Sequence, residues 1–479
     1  MKKYDYDIAI IGGGAAGLVA SKFAAGMGKK VILFEKNKLG GECTNTGCIP
    51  SKTILRCAQA AHEIMHAEKY GLPKKPLSID SSLIMDLVKK TITEVANNHT
   101  PESLEKLGIT VLFEAPQFLD NHTLQTNNRN ITAAKIIIVT GSRPAIPSIS
   151  GIEKVPYLTN QTLFQPTTLP QSLIILGAGP VGVEMACALT RLGVKVYLIE
   201  QHAHILPQEE PELAKIVHDQ LVADGATILV NATAKEVSQQ DNIIKLQCRL
   251  HFGTTIIIQA EQLLVATGRV PNIENLHLEA ASIEYQKSGI LVNNKLQTTT
   301  KNIYAAGDVA GPYLFSHVAE YQAVIATYNA CIPLFKKKVD YTNIVWVTFC
   351  DPELAHAGLT IAQAKKIYGN SIKIYRRDYL AIDRSFTDQN KKGRAIFICN
   401  KKGKLIGAHI AGARAGELIG QVQLGKVYNI SFVDFYHVMH AYPAYSDVIW
   451  QAAKKAYIER TKANQWIKIA QKIYSWLSR

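Results

Sequence analysis

Two cysteines five positions apart carry the clearest sign of chemistry in this chain of 479 residues. A disulfide requires Cα atoms about 4.4–6.8 Å apart, whereas five steps along a regular helix separate Cα atoms by roughly 8–9 Å. We therefore expect Cys43 in an irregular segment and Cys48 at the first turn of a helix that continues to Ile64, where the helix dipole stabilises a thiolate. The glycine-rich surroundings favour a reducible bridge between the two sulfurs. Two buried thiols that merely lie close together are the alternative.

A second chemical signal is a unit that occurs twice: a strand, a glycine-rich turn, a helix and a second strand closed by an acid. In such a unit the first glycine permits a tight turn and the second lets the backbone approach a pyrophosphate. The third lets helix and strand pack closely, and the acid accepts ribose hydroxyls. Two copies therefore predict two bound dinucleotides. The residues concerned are Gly12, Gly14, Gly17 and Glu35 in the first copy and Gly177, Gly179, Gly182 and Glu200 in the second.

Regular elements must position these residues, and the apolar pattern predicts where they lie. Apolar runs that end in Thr-Gly, at 136–144 and 263–271, suit buried parallel strands whose carboxyl ends carry ligand contacts, with ordinary strand ends as the alternative. From about residue 341 the pattern changes to a separate α+β domain. The predicted strands are 4–11, 30–34, 172–176, 194–199, 344–349, 372–375, 395–399 and 405–410, and the predicted later helices are 360–368 and 417–428.

Composition limits the classes of protein that this chain can represent. Apolar residues make up 47% and charged residues 19%, which is typical of a soluble globular protein of about three domains. Eight cysteines are too few for a disulfide scaffold, so we expect a reduced, cytoplasmic setting. The 53 basic against 39 acidic residues raise the question of nucleic acid, but no nucleic-acid motif accompanies them. We expect no metal-ligating set, and the zinc-protease-like string at 62–66 is interpreted as coincidence.

Taken together, the cysteine segment 40–52, both glycine-rich units, the Thr-Gly segments and the segment 303–309 resemble the class I pyridine nucleotide-disulfide oxidoreductases. That family includes dihydrolipoamide dehydrogenase, glutathione reductase and mercuric reductase. The resemblance implies an α/β fold with two Rossmann-like dinucleotide-binding domains and a C-terminal α+β dimerisation domain, in a homodimer. The implied domains are 1–148 (FAD-binding, first part), 149–268 (NAD-binding), 269–338 (FAD-binding or central, second part) and 339–479 (C-terminal dimerisation domain with an amphipathic tail).

The same resemblance implies a role for each matching residue. Electrons would pass from NADH to FAD, then to a Cys43–Cys48 bridge and on to an acceptor, with Cys48 facing the flavin and Cys43 the substrate. Lys52 would pair with Glu184, an acid in an apolar helical stretch where a lone carboxylate is costly. FAD would lie on the first glycine set with Glu35, Lys52, Thr140, Gly141, Ser142 and Asp308, and the nicotinamide dinucleotide on the second set with Glu184, Glu200 and Gly268.

The choice of nucleotide depends on the acid that closes the second unit. A 2′-phosphate beside Glu200 would meet like charge, which favours NADH. NADPH is the alternative, because His202 stands nearby and could reduce that preference.

The chain departs from the family where substrate would be chosen. Disulfide reductases of the family place a His and a Glu near the C-terminus as base and orienting acid, and here those positions hold Tyr442 and Asp447. A phenol is a poor base for thiol–disulfide exchange at neutral pH. His440 could substitute only if its ring turned toward Cys43.

The departure favours a mercuric-reductase-like activity on a metal ion or another small acceptor, although the vicinal C-terminal cysteines and the N-terminal metal domain of mercuric reductase are not expected here. Dihydrolipoamide dehydrogenase or another disulfide reductase, and a redox-sensing flavoprotein without rapid turnover, are the alternatives.

The last 25 residues repeat apolar side chains at helical spacing, with basic residues between them. Packing on the C-terminal domain or across a dimer explains this pattern. Attachment to an anionic membrane surface is the second hypothesis, because tryptophans and basic residues on one helix suit an interface.

Overall fold

The computed structural model describes residues 4–74, 76–127 and 129–478, and its first part is a sheet around the first glycine-rich turn. The strand order is β3-β2-β1-β6-β5-β4, and β3, β2, β1 and β6 run parallel. All four residues of β2 are buried, as expected for a parallel strand covered on both faces. The elements of this part are β1 (Tyr6–Ile11), α1 (Ala15–Gly26), β2 (Val31–Phe34), α2 (Gly41–Asn45), α3 (Cys48–Met65), α4 (Ser81–Ala96), α5 (Pro101–Glu105), β3 (Ile109–Leu112), β4 (Gln117–Phe118), β5 (Thr123–Gln125), β6 (Asn130–Ile138) and β7 (Ser142–Pro144).

The second glycine-rich unit builds a four-stranded parallel sheet of order β10-β9-β8-β14. An antiparallel sheet of β11, β12 and β13 packs beside it, and β15 pairs with β7 of the first part. The elements are β8 (Ser172–Leu176), α6 (Pro180–Arg191), β9 (Lys195–Ile199), α7 (Pro211–Asp224), β10 (Thr227–Leu229), β11 (Ala232–Gln240), β12 (Ile243–Leu250), β13 (Thr255–Ala260), β14 (Gln262–Val265) and β15 (Arg269–Pro271).

The chain then returns to the first sheet. The strand that returns pairs in parallel with β6, with Ile303 opposite Ile136, and a long helix follows it. This return places the start of that helix beside the cysteine segment. The elements are β16 (Tyr285–Gln286), β17 (Gly289–Ile290), β18 (Ile303–Ala305) and α8 (Ser316–Cys331).

The C-terminal part is an antiparallel sheet of order β19-β20-β23-β22-β21 with helices against it. Its core contains Phe397, Phe432 and Val448, and α12 covers one side of the sheet. The elements are β19 (Val345–Thr348), β20 (Glu353–Gly358), α9 (Ile361–Tyr368), β21 (Lys373–Asp378), α10 (Asp383–Thr387), β22 (Arg394–Cys399), β23 (Leu405–Gly412), α11 (Ala415–Val427), α12 (Asp447–Ala463) and α13 (Gln465–Leu477).

The observed elements agree closely with the sequence expectations. The predicted strands and helices end within two residues of the observed ends, except that β21 continues to Asp378. The sequence reasoning missed the antiparallel β11–β13 sheet, although the alternation of apolar and polar residues in β12 was an available signal. Short 3-10 turns lie at Ala67–Tyr70, Asn97–His99, Ile152–Lys154, Leu278–Ala281, Gly307–Val309, Gly369–Ser371, Tyr379–Ala381 and Phe432–His437.

Among the helices of the described residues, none has both the length and the apolar character that crossing a bilayer requires.

Candidate active site

The two cysteines lie on two consecutive helices rather than on one. Cys43 belongs to α2, and Cys48 is the first residue of α3. Our expectation of an irregular segment at Cys43 was therefore wrong in detail, because a five-residue helix forms there and the chain breaks only at Thr46 and Gly47. A Cβ on Gly47 would lie 2.9 Å from the carbonyl oxygen of Glu42, so this tight break favours glycine. The break brings the two thiols, both free in the structure, within hydrogen-bond contact.

The surroundings of the two thiols separate their acidities. The hydrogen bond from Cys43 lowers the pKa of the Cys48 thiol to about 6, against the opposing effect of burial, with help from Ser316 and the charge of Lys52. The same hydrogen bond, and then burial, raise the pKa of Cys43 well above its ordinary value. The Ser316 hydroxyl lies 3.3 Å from Cys48 Sγ. At neutral pH the pair therefore holds one thiolate, at Cys48, and one proton, at Cys43.

Ser316 was missed as a cysteine partner by the sequence reasoning. It is the first residue of α8. Only its position after a Phe at the start of that helix could have pointed to it, because the cysteines stand 268 residues away.

The predicted pairing of Lys52 with Glu184 is present, with 2.7 Å between Nζ and Oε2. Glu184 is only 5% exposed and also accepts a hydrogen bond from the backbone N–H of Phe349. A buried carboxylate in the apolar helix α6 is thereby neutralised and hydrogen-bonded. The contact joins the helix of the redox cysteines to the second glycine-rich unit.

The first glycine-rich turn is closed by backbone contacts that exclude side chains. A Cβ on Gly17 would lie 1.8 Å from the Gly12 carbonyl oxygen, whereas at Gly14 only Gly41 comes near, at 3.8 Å. Gly14 therefore presents open backbone to the cleft, as pyrophosphate binding requires. The carboxylate of Glu35 accepts hydrogen bonds from two backbone N–H groups, one of them that of Gly13 at 2.7 Å. These residues fit the adenosine and pyrophosphate parts of FAD.

The second turn repeats this geometry closely. A Cβ on Gly182 would lie 1.9 Å from the Gly177 carbonyl oxygen, and Gly179 has open space around it. The Glu200 carboxylate accepts from the backbone N–H of Ala178 at 2.8 Å and contacts His202 Nδ1 at 2.5 Å. The turn is therefore built to take a second dinucleotide.

The two Thr-Gly segments close over the first glycine of each turn. A Cβ on Gly12 would lie 2.5 Å from the carbonyl oxygen of Val139, and one on Gly177 would lie 2.5 Å from that of Ala266. Thr140 Oγ1 donates to the carbonyl oxygen of Asn272. These strand ends are therefore part of the cleft wall rather than ordinary strand ends.

A polar network that the sequence reasoning did not foresee connects the two halves of the cleft. Arg269 donates from Nε to Ser142 Oγ at 2.6 Å and forms an ion pair with Glu42, next to the cysteine. Ser142 Oγ in turn donates to Asp308 Oδ2 at 2.5 Å. Arg269 directly follows the Thr-Gly of the second segment, and that position was the available signal.

One continuous cleft of about 2500 Å³ unites these features. It is lined by both glycine-rich turns, both cysteines, Lys52, Glu184, Asp308 and the start of α8. Both glycine-rich turns therefore open into the same space as the dithiol.

The C-terminal candidates stand apart from this cleft within one chain. Tyr442, Asp447 and His440 are not among its lining residues. The Tyr442 hydroxyl donates to Asp383 Oδ2 at 2.6 Å, and that hydrogen bond raises the pKa of the phenol. His440 contacts the Gln421 side-chain amide at 2.7 Å through Nε2 and the Val438 carbonyl oxygen through Nδ1. Neither side chain offers a free base in this arrangement.

Comparisons with known proteins agree with the geometry. The family model "Pyridine nucleotide-disulphide oxidoreductase" matches residues 6–328, and the model of that family's dimerisation domain matches residues 344–453. The chain is 32% identical to mercuric reductase from Lysinibacillus sphaericus over 91% of its own length and 80% of that protein. It is 29% identical to a dihydrolipoyl dehydrogenase from Bacillus subtilis over 93% and 97%.

Among solved structures, the HOCl-induced flavoprotein disulfide reductase RclA from Escherichia coli matches with a TM-score of 0.84 and 27% identity, over 94% of this chain and 99% of that one. A Cu(II) complex of RclA gives the same TM-score, at 26% identity and over 95% of this chain and 99% of that one.

Proposed function

The chain belongs to the class I pyridine nucleotide-disulfide oxidoreductases, and from that premise we propose that it passes electrons from NADH through FAD and the Cys43–Cys48 pair to a metal-ion acceptor. The family is FAD-dependent and uses a pyridine nucleotide, and its dimerisation domain indicates homodimers. A homodimer in the cytoplasm and NADH as the donor are parts of the proposal.

The single observation that carries the proposal is the placement of the two thiols together in the shared cleft, with the Ser316 hydroxyl 3.3 Å from Cys48 Sγ. These surroundings lower the pKa of Cys48 and raise that of Cys43. When bound, FAD supplies the two-electron chemistry that connects a hydride donor to a disulfide. Cys48 holds negative charge beside Ser316 and Lys52, and Cys43 keeps the proton. Oxidation of this thiolate–thiol pair to a disulfide releases two electrons and the one proton that Cys43 holds. Two electrons reduce one Hg(II) to Hg(0) or two Cu(II) to Cu(I).

The C-terminal residues support a metal ion over a disulfide as the acceptor. Thiol–disulfide exchange is accelerated by an acid–base side chain that takes the proton from the attacking thiol and gives it to the leaving thiolate. The Tyr442 hydroxyl is bound to Asp383, and that contact raises its pKa. Reduction of a thiolate-bound metal ion needs no such relay. Two of the relatives are consistent with this: one is described as a mercuric reductase, and a Cu(II) complex of RclA is known.

A screen of acceptors tests the proposal. Purified holoenzyme with NADH should turn over Hg(II) or Cu(II) at least tenfold faster than lipoamide or glutathione disulfide, and quinones complete the panel. In the same assay Tyr442→His should raise the lipoamide rate, and Tyr442→Phe is the matched control. Preferred turnover of lipoamide by the unaltered enzyme would make it a disulfide reductase. Reduction that no acceptor reverses at a useful rate would make it a redox sensor.

A further inference from the structure

We propose that Glu209, His356 and His409 form a binding site for one divalent transition-metal ion of the Zn²⁺ or Cu²⁺ class, separate from the redox cysteines. One ligand atom from each residue lies within 4.8 Å of the other two. All three side chains are buried, at 5%, 1% and 0% exposure respectively. The site lies where the segment before α7 meets the C-terminal sheet.

The strand register of the C-terminal sheet places the two histidines next to each other. His356 on β20 stands directly opposite His409 on β23 in the antiparallel register, so both rings project from the same face. Their ring centroids are 4.4 Å apart in an edge-on arrangement. No sequence spacing reveals this pair, because 53 positions separate the residues.

The hydrogen bonds of the two rings fix which nitrogen can bind a metal. His356 Nε2 lies 2.8 Å from the Gly358 carbonyl oxygen, and His409 Nε2 lies 2.9 Å from that of Leu359. A carbonyl only accepts, so each Nε2 carries the hydrogen and each Nδ1 is left for another partner. Metal-binding histidines show this pattern, with the remote N–H donated to a backbone carbonyl.

The two Nδ1 atoms differ in their hydrogen-bond partners. His356 Nδ1 lies 2.9 Å from Glu209 Oε2, whereas His409 Nδ1 has no hydrogen-bond partner among the described residues. A buried acceptor without a partner costs about 1–3 kcal/mol. With Nε2 as the donor, the neutral His356 ring and the Glu209 carboxylate face each other as two acceptors. A cation bound by both Nδ1 atoms and by Glu209 relieves that contact and also gives His409 Nδ1 a partner. Glu209 is also oriented by Trp346, whose indole N–H donates to Oε1 at 2.5 Å.

The donor set selects the class of metal. Two imidazoles and one carboxylate suit Zn²⁺ and Cu²⁺, whereas Mg²⁺ and Ca²⁺ prefer oxygen ligands throughout. Glu209 and Trp346 line the large cleft, so water can supply a fourth ligand. The Trp346 ring stacks on the rings of His356 and Phe315, with centroid distances of 3.6 Å and 5.5 Å. Phe315 precedes Ser316, so the ion would support the wall of the cleft beside the cysteines.

Metal binding is measured on protein whose redox thiols cannot contribute. In holoenzyme carrying Cys43→Ser and Cys48→Ser, treated with EDTA and then dialysed against Zn²⁺ alone, we expect one ion per chain. His356→Gln should weaken binding at least about 100-fold, and His251→Gln, at an exposed position, should leave it unchanged. Trp346→Phe keeps the ligands and removes only the donor to Glu209, so about a 10–100-fold loss is expected. Absence of a stoichiometric ion, or unchanged binding in His356→Gln, overturns the site.

A spectroscopic measurement identifies the ligands without further substitutions. Cu²⁺ added to the same Cys43→Ser/Cys48→Ser holoenzyme should give an EPR spectrum with coupling to two nitrogens and no sulfur. A spectrum without two coupled nitrogens contradicts the site, even if copper binds. Because both redox thiols are absent, this result does not depend on whether the proposed reductase activity is correct.

Discussion

Lys52 Nζ lies 2.7 Å from Glu184 Oε2, so a single ion pair connects the helix of the redox cysteines with the helix of the second glycine-rich unit. Glu184 is buried while Lys52 remains partly exposed, and Lys52 stands one turn beyond Cys48. The lysine therefore neutralises a buried carboxylate and also adds positive charge near the thiolate.

The charge of Lys52 should be visible in the pH dependence of Cys48. We expect Lys52→Gln to raise the pKa of Cys48 from about 6, by up to about one unit, because the lost positive charge no longer stabilises the thiolate. Iodoacetamide alkylation of the reduced protein, resolved by peptide mass spectrometry from pH 4 to 9, gives the midpoint. The matched control is Lys69→Gln, an exposed lysine beyond the end of α3. A midpoint that stays near pH 6 in Lys52→Gln would contradict this role.

The role of Cys43 can be separated from that of flavin. Cys43→Ser should bind FAD and allow its reduction by NADH, yet lose nearly all turnover of the metal-ion acceptor, because no disulfide can form. Cys57→Ser, a change on α3 outside the cleft, should keep full turnover. Stopped-flow reduction and steady-state acceptor assays measure the two steps. Equal turnover in Cys43→Ser would mean that electrons leave from flavin directly.

Two glycines of the same helix should differ sharply in their tolerance of a methyl group. Gly17→Ala places a Cβ 1.8 Å from the Gly12 carbonyl oxygen, so we expect loss of FAD and a stability decrease of roughly 1–3 kcal/mol. Gly26→Ala, at the end of α1, meets nothing within 4 Å and should be neutral or stabilising by about 0.5–1 kcal/mol. Flavin absorbance per chain and urea unfolding give the comparison. Similar flavin content in both variants would contradict the assignment of this turn.

Glu200 should decide between the two nicotinamide dinucleotides. Glu200 directly follows β9, and its carboxylate accepts a hydrogen bond from the backbone N–H of Ala178. Glu200→Ala should lower kcat/KM for NADH about tenfold and raise the NADPH-to-NADH ratio, because like-charge repulsion of a 2′-phosphate disappears. Steady-state kinetics with both nucleotides and a saturating acceptor test this. An unchanged ratio would place the selectivity elsewhere.

The C-terminal helix α13 leaves its apolar side chains exposed, which excludes the interpretation that it packs on its own domain. Trp466, Trp476 and Leu477 are 78%, 77% and 70% exposed. We expect a partner subunit to cover them, and truncation after Ala463 to weaken the dimer, since each buried apolar side chain contributes about 1.5–3 kcal/mol. Sedimentation equilibrium of both chains tests this. An unchanged dimer, with co-sedimentation on anionic vesicles only for the full chain, would assign the helix to membrane instead.

The repeated glycine-rich units show how far local patterns reach. Strand, turn, helix and acid follow one another within about 25 residues, so a short stretch fixes both the element order and the position of Glu35 or Glu200 against the turn. The Lys52–Glu184 pair was also foreseeable, since a carboxylate in an apolar helix needs a cation. These predictions depend on residues that are close together in the chain, or on a charge that needs a partner of opposite sign.

The remaining features depend on where distant segments meet. The sequence by itself determined two nucleotide-binding turns, the cysteine pair and the poor base at Tyr442, because residue types and close spacing define them. Only the tertiary structure decided that Ser316 reaches Cys48, that Arg269 reaches Glu42, and that His356 faces His409. The physical reason is that strand register and the return of the chain to its first sheet set these contacts. Neither produces a pattern of residue types or spacings from which the contact could be predicted.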